Sequence, residues 1–241
     1  MRATVNLCLS SCLLAIGSPA SAPAPRAPRV EVPPSALVDG VWAYTGLTPR
    51  GGKELALTGL FVFHDGYFVQ HAINDGDPLA SQGGQGHFGG VRDAGNVMEI
   101  TAEVAAGTSP LGTPPLSLRF GTEHQVTPAV EGDALTLTFG SGTVQKFKRV
   151  GRGEGTVHSL DKGGLALVDG HFVLVATRDG KVWAGSGRYA RAGTKLTLEA
   201  SRWFTADEKG VTNVRDRKLG AELDGKALRL EDGTTFDVVQ R

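Results

Sequence analysis

The stretch Gly59-Leu60-Phe61-Val62-Phe63-His64-Asp65-Gly66-Tyr67-Phe68-Val69 returns, without a gap, as Gly163-Gly164-Leu165-Ala166-Leu167-Val168-Asp169-Gly170-His171-Phe172-Val173. Each copy is two short apolar runs around Asp-Gly, the dipeptide that suits a two-residue hairpin turn. The match continues through Asp75-Gly76 with Asp179-Gly180, Met98-Glu99-Ile100 with Leu196-Thr197-Leu198, and Ala134-Leu135-Thr136-Leu137 with Ala227-Leu228-Arg229-Leu230. A long fixed period describes an architecture before it describes an activity. The chain holds two copies of one β unit, the first over 38–150 and the second over 151–241.

Beyond Leu37 the chain is a series of short runs separated by Asp-Gly, Gly-Gly and Gly-Thr, with no sustained helical periodicity, so the fold class is all-β. The pattern predicts strands near 40–46, 57–64, 67–74, 86–92, 96–103, 116–122, 125–131, 134–139 and 143–149 in the first unit. In the second it predicts them near 164–168, 171–178, 182–189, 194–200, 209–215, 217–223, 226–231 and 234–240. Most alternate apolar and polar residues, one face buried and one wet. The hairpin is apolar on both faces, with Phe61, Phe63 and Phe68 on one and Val62, Tyr67, Val69 and Ile73 on the other. Its second copy shares that property, so the two hairpins are expected to meet each other or a common surface. About eight strands per unit suffice to close a sheet and remove its edges. The expectation is two tandem antiparallel meander β-barrels. The alternative is one continuous or strand-exchanged β assembly, because strand 143–149 can end the first unit, begin the second or serve both.

Residues 1–22 read as a signal peptide: Arg2, an apolar run from Leu7 to Ile16, then small residues around Ala20-Ser21-Ala22. A secreted or periplasmic protein is expected. That run is too short to cross a bilayer, which takes roughly 20 apolar residues, and no later stretch is longer. Both cysteines, Cys8 and Cys12, lie inside it, so the remaining chain has no thiol for a disulfide or a metal-thiolate site. A lipid anchor at Cys12 is disfavoured, because the apolar run continues past that residue. Residues 23–37 form a Pro/Ala-rich leader without apolar periodicity, expected to be extended or disordered. Lys+Arg and Asp+Glu both number 25, with no basic stripe, which argues against a nucleic-acid partner.

The first unit opens Leu37-Val38-Asp39-Gly40-Val41-Trp42 and ends Lys146-Phe147-Lys148-Arg149. Gly40-x-Trp42 on a first strand, followed by that hairpin and by Glu131-Gly132-Asp133-x-Leu135-x-Leu137, resembles bacterial lipocalin-like (calycin) domains. The resemblance implies an up-and-down barrel with an apolar interior and, commonly, a small hydrophobic ligand. It further implies that Trp42 packs at the closed end with Arg149 lying over it, a contact worth about 0.5–2 kcal/mol. The second unit has no Gly-x-Trp of its own and reads as a divergent repeat.

Six histidines invite a metal, but His64, His71, His87, His124, His158 and His171 show no metal-site spacing, and no metal or other cofactor is expected. A lone histidine such as His87 would suit haem in small haem-binding relatives of the resembled family. Ser109, Ser141 and Ser186 sit in turns without a nucleophile elbow, and most aspartates sit in Asp-Gly turns, so no enzyme is expected. Trp42, Phe61, Phe63, Phe68, Met98, Ile100, Leu118 and Phe120, with Leu116, Leu135 and Leu137, are expected to face the first interior, the first eight as ligand-binding residues. The segment Asp77–Gly86 is an insertion relative to the second unit and is expected at a barrel mouth. The leading function is an exported lipocalin-like protein that binds a small apolar or amphipathic ligand in the first barrel. The alternatives are a cell-envelope interaction module with filled barrels, meeting an envelope protein partner, and a barrel enzyme of cyclase or isomerase type.

Overall fold

A computed structural model describes residues 32–240, and Val32–Arg241 form one compact unit. The signal segment 1–22, with Cys12, and the leader up to residue 31 lie outside the described residues. The rest of the leader is not extended as its prolines suggest: Pro34–Val38 forms a one-turn helix, α1. Proline suits a first helical turn, where its missing N–H has no intrahelical role. Packing holds the turn in place, since Val38 is buried and its carbonyl accepts the Trp42 indole N–H at 2.6 Å.

The first barrel comprises β1 (Gly40–Thr48), β2 (Leu57–His64), β3 (Tyr67–Asn74), β4 (Gly84–Ala94), β5 (Val97–Thr108), β6 (Leu116–Arg119), β7 (Thr122–Glu131), β8 (Ala134–Phe139) and β9 (Val144–Gly151). Antiparallel pairing runs β1 through β5 to β7, β8 and β9, and β9 returns to β1 with Trp42 opposite Arg149. Eight strands therefore close on themselves. The ninth, β6, pairs only with the outer end of β5, Ala105–Thr108, while β7 takes Met98–Ala102. The break between them falls at Phe120-Gly121, where Gly121 has φ +66°.

The second barrel comprises β10 (Gly155–Leu160), β11 (Gly163–Val168), β12 (His171–Arg178), β13 (Lys181–Ala192), β14 (Lys195–Ala206), β15 (Val211–Leu223), β16 (Ala227–Leu230) and β17 (Thr235–Asp237). It is nearly closed, by a Leu160–Val238 bridge and by Val239 N–H donating to the Ser159 carbonyl at 2.9 Å. The fold is two tandem antiparallel barrels, and β9 belongs wholly to the first. Strand β10 is absent from the pattern-based reading because Thr156-Val157-His158-Ser159 is polar. Its connection to β11 is only Asp161-Lys162 where the first copy has residues 49–56, so direct alignment slips upstream of the hairpin. The predicted strands 209–215 and 217–223 are one strand, in which Asp216 at φ +49° makes a kink and not a turn.

Duplication reaches into backbone detail. Asp65-Gly66 and Asp169-Gly170 all have positive φ, the requirement of a type I′ hairpin. Both copies carry a register shift at the same place, Phe88/Gly89 in β4–β5 and Ser186/Gly187 in β13–β14. An added Cβ would lie 1.9 Å from the Thr101 carbonyl oxygen at Gly89, and 2.1 Å from that of Glu199 at Gly187. Only glycine permits that approach.

Three apolar layers result. One fills the first barrel and includes Trp42, Phe61, Phe63, Phe68 and Leu137; a second fills the other barrel around Leu165, Phe172, Leu198 and Trp203. The third lies between the barrels, where Val62, Val69, Ile73 and Phe88 meet Val173, Val175, Ala184 and Phe204. The hairpins are apolar on both faces because one face lines a barrel and the other is the joint.

Candidate functional site

The first barrel is stoppered at one end. Arg149 lies 3.9 Å over the Trp42 ring and donates through Nη1 to the Asp39 carbonyl at 2.7 Å, tying β9 to the α1 exit. Phe63 stacks on Phe61 at 4.4 Å, and Phe63 and Met98 are buried.

Toward the other end the interior changes character. Strand alternation turns Tyr44 of β1, Gln70 of β3, Gln85 and His87 of β4, and Gln145 of β9 inward. Except for Tyr44, they line a cavity of 190 Å³ together with Phe61, Phe68, Ile100, Ala102, His124 and Phe139. Four of them, His87, Gln70, Tyr44 and Gln145, form one directional row. His87 Nδ1–H donates to Gln70 Oε1 at 3.0 Å, Gln70 Nε2 donates to the Tyr44 hydroxyl, and that hydroxyl donates to Gln145 Oε1 at 3.1 Å. Gln70 and Gln145 are buried, so each bond replaces one to water that would otherwise be lost. Gln85 Nε2 is buried with no partner among the described residues, a placement that costs about 1–3 kcal/mol. Burial, assisted by His124, lowers the His87 pKa to about 4, so its ring is neutral at pH 7. Burial raises that of Tyr44 well above the usual phenol range. Among the described residues no Asp, Glu, Lys or Arg lines the cavity.

The second barrel supplies an internal control. Register places Leu174 opposite Gly185 and Gly185 opposite Trp203, as Gln70 stands opposite His87 and His87 opposite Ala105. Gln70 thus corresponds to Leu174, His87 to Gly185, Ala105 to Trp203, and Gln85 to Trp183. At Gly185 an added Cβ would lie 2.1 Å from the Trp203 ring, so in the second barrel an indole occupies the position where the first has a histidine beside open space.

Of the residues expected to bind ligand, Phe61, Phe68 and Ile100 line the cavity, whereas Trp42, Phe63 and Met98 pack beyond it at the stoppered end. Leu118 and Phe120 do not face the interior. Leu118, like Leu116, packs against the layer between the barrels, and Phe120 is 58% exposed, because β6 extends past the ring of strands that encloses the core. Leu135 and Leu137 are interior core. Gln70, Gln85, Gln145 and Tyr44 were not among the expected residues. The signal for them is a comparison of copies: Phe68-x-Gln70 stands where the repeat has Phe172-x-Leu174.

The inserted segment is not a flap over this mouth. Leu79 packs into the layer between the barrels, and Asn213 Nδ2 of β15 donates to the carbonyls of Leu79 at 3.0 Å and Gln82 at 2.7 Å. Other histidines serve the joint: His71 Nδ1 is 2.9 Å across it from the Oγ of Ser186, which is buried within β13 and not in a turn, and His64 Nε2 is 3.2 Å from the Gly155 carbonyl. Among the described residues no group of three His, Cys, Asp or Glu is placed to hold a metal ion, and no helix is long and apolar enough to cross a membrane.

Phe63→Ala should therefore behave as a core truncation, lowering unfolding free energy by about 3–5 kcal/mol in urea titration. Uptake of a small aromatic probe by the folded fraction should be unchanged; weakened uptake would place Phe63 in the binding surface.

No family model, no curated protein and no solved structure matches the chain.

Proposed function

We propose that the chain is an exported, lipocalin-like binding protein whose first barrel takes a small amphipathic molecule at its open end, while the second barrel is a rigid mount. One observation carries the reading: at equivalent positions of two copies of the same barrel, one interior is packed by Trp203 and the other keeps a cavity beside a row of hydrogen-bonding side chains. The second copy forms its nearly closed barrel without those polar groups, so the strand arrangement does not require them. A cavity of 190 Å³ is somewhat larger than the 150 Å³ cavity that holds benzene, and smaller than pockets for drug-sized molecules. The ligand is accordingly of about ten non-hydrogen atoms, and haem is far too large. Gly40-x-Trp42 with Arg149 stacked on the indole supports the family likeness, and the N-terminal signal pattern supports a secreted or periplasmic location.

The interaction-module reading loses its main support, because the apolar hairpin faces that would meet a partner cover each other. Among the described residues an enzyme reading finds no carboxylate in the cavity lining, and the hydroxyls there, Ser141 and Thr143, bond each other at 3.3 Å with neither shown bonded to a histidine base.

The internal control suggests the test. His87→Gly/Ala105→Trp copies the second barrel's packing into the first and should abolish binding of small aromatic probes followed by NMR, with the protein still folded. In the wild type the probes should shift Gln70, His87 and Phe68 resonances and leave those of Leu174 and Leu198 in place. Binding that survives the double substitution would remove the cavity from the function.

A further inference from the structure

We infer that the molecule held in the first barrel is a neutral aromatic amide or lactam, its N–H given to His87 Nε2 and its carbonyl taken by Gln85 Nε2. This rests on the binding function proposed above and specifies the chemistry of that site. Charge is the first constraint. Among the described residues the lining contains no acidic residue, lysine or arginine, so an ionised ligand would lose its hydration with no carboxylate, ammonium or guanidinium to replace it.

The polarity of the hydrogen-bond row is the second constraint. His87 uses Nδ1–H on Gln70 Oε1, and each later group donates onward to the next, ending at Gln145 Oε1. A neutral imidazole carries one N–H, so Nε2 is left as an acceptor on a ring that borders the cavity. Gln85, two residues away on the same face of β4, contributes the opposite function: its Nε2 has no partner among the described residues, and rotation of the amide about its last bond turns that donor to the cavity. An acceptor and a donor on one face of the same strand, lining the same cavity, are complementary to a group with one N–H and one C=O. Phe61, Phe68 and Ile100 around them suit a flat apolar body. A plain hydrocarbon of the same size would cover the Gln85 amide and the His87 lone pair without pairing either, which is the situation sites reject most strongly.

The test titrates the full chain with benzamide, toluene and benzoate, read by calorimetry and by NMR. Benzamide should bind at least about tenfold more tightly than toluene, and benzoate should not bind measurably at pH 7. Gln85→Leu and His87→Phe should each weaken benzamide by about tenfold or more while leaving toluene within about threefold. The isosteric Gln85→Glu, which replaces the donor by an acceptor, should also lose benzamide and serves if Gln85→Leu does not fold. Nitrogen-15 shifts of His87 should show the Nδ1–H tautomer, and the Nε2–H tautomer would overturn the acceptor role. Toluene binding as well as benzamide would overturn the amide inference and leave the binding function standing. Benzoate binding most tightly would overturn neutrality. If none of the three binds, the cavity reading fails and this inference fails with it.

Discussion

Acidification from pH 7 to pH 5 should cost the protein about 2 kcal/mol of unfolding free energy through His71 alone. His71 is fully buried between the barrels, with Ser186 Oγ on its Nδ1 and Phe204 at 5.5 Å. Burial, with the Arg202 charge adding to it, lowers its pKa from 6.5 to about 3. In the unfolded chain the ring takes up a proton as pH falls through about 6.5, whereas in the folded protein it does not until about 3. The unfolded state binds more protons throughout that interval, so stability is complete above 6.5 and declines steadily below it. His87, lowered to about 4 by burial and His124, shifts stability in the same direction. Urea unfolding at pH 7, 6 and 5 should show the decline, and His71→Gln, which keeps a polar group near Ser186 without a titrating one, should flatten it. Equal slopes for wild type and variant would mean that His71 is not held neutral by the joint. Because this residue lies between the barrels, fluorescence from Trp42 and from Trp203 should report the loss together.

The barrels were legible in the sequence because strand alternation and Asp-Gly turns act locally and the repeat supplies each signal twice. The hairpin 57–74 needs only its own residues to specify register: positive φ at Asp65 and Gly66 suits Asp-Gly, and Phe63 is placed opposite Phe68. Strand β10 fails that test. Thr156, His158 and Ser159 carry no apolar alternation, and the strand exists because the edge of β11 would otherwise be unpaired, a tertiary cause that a local window does not contain. The helix α1 has the same origin. Nothing in Pro34-Ser35-Ala36-Leu37-Val38 demands a helix, but the Trp42 indole needs an acceptor and finds the Val38 carbonyl.

The site was only half legible. Phe61, Phe68 and Ile100 follow from alternation, since apolar residues on the interior face point into the barrel. Leu118 and Phe120 fail because alternation cannot show that β6 leaves the ring of strands. The glutamines were missed for a different reason. A polar residue on a half-buried strand is ordinarily assigned to the wet face, and the bonds that join Gln70 and Gln145 through Tyr44 reach across strands that a local window does not contain. What separates them from surface glutamines is the second copy, where Leu174 and Trp183 show that the same positions face inward.

Phe88→Ala should destabilise the protein by about 3–5 kcal/mol, the range for removing a buried phenyl group. Phe88 belongs to β4 of the first barrel, is fully buried, stacks on Tyr67 at 6.1 Å and lies against the backbone of Gly164 in the second. A Cβ at Gly164 would fall 2.1 Å from a Phe88 ring carbon, so Gly164→Ala forces the ring or β11 to move and should cost about 1–3 kcal/mol. Gly164 does not have the positive φ that would strain a side chain by itself, which leaves the ring as the cause of the loss. The two effects are then coupled. With the phenyl group gone, the Cβ and methyls of Gly164→Val enter the space it left, so Phe88→Ala/Gly164→Val should be more stable than the sum of the single variants by at least about 1 kcal/mol. Urea titration of Phe88→Ala, Gly164→Val and the double variant against the wild type measures that coupling. A value near zero would mean that the ring and the glycine do not meet and that the barrels are held together elsewhere. A clear coupling would show that Gly164, which the first copy replaces by Leu60, is glycine because a ring from the other barrel rests on it.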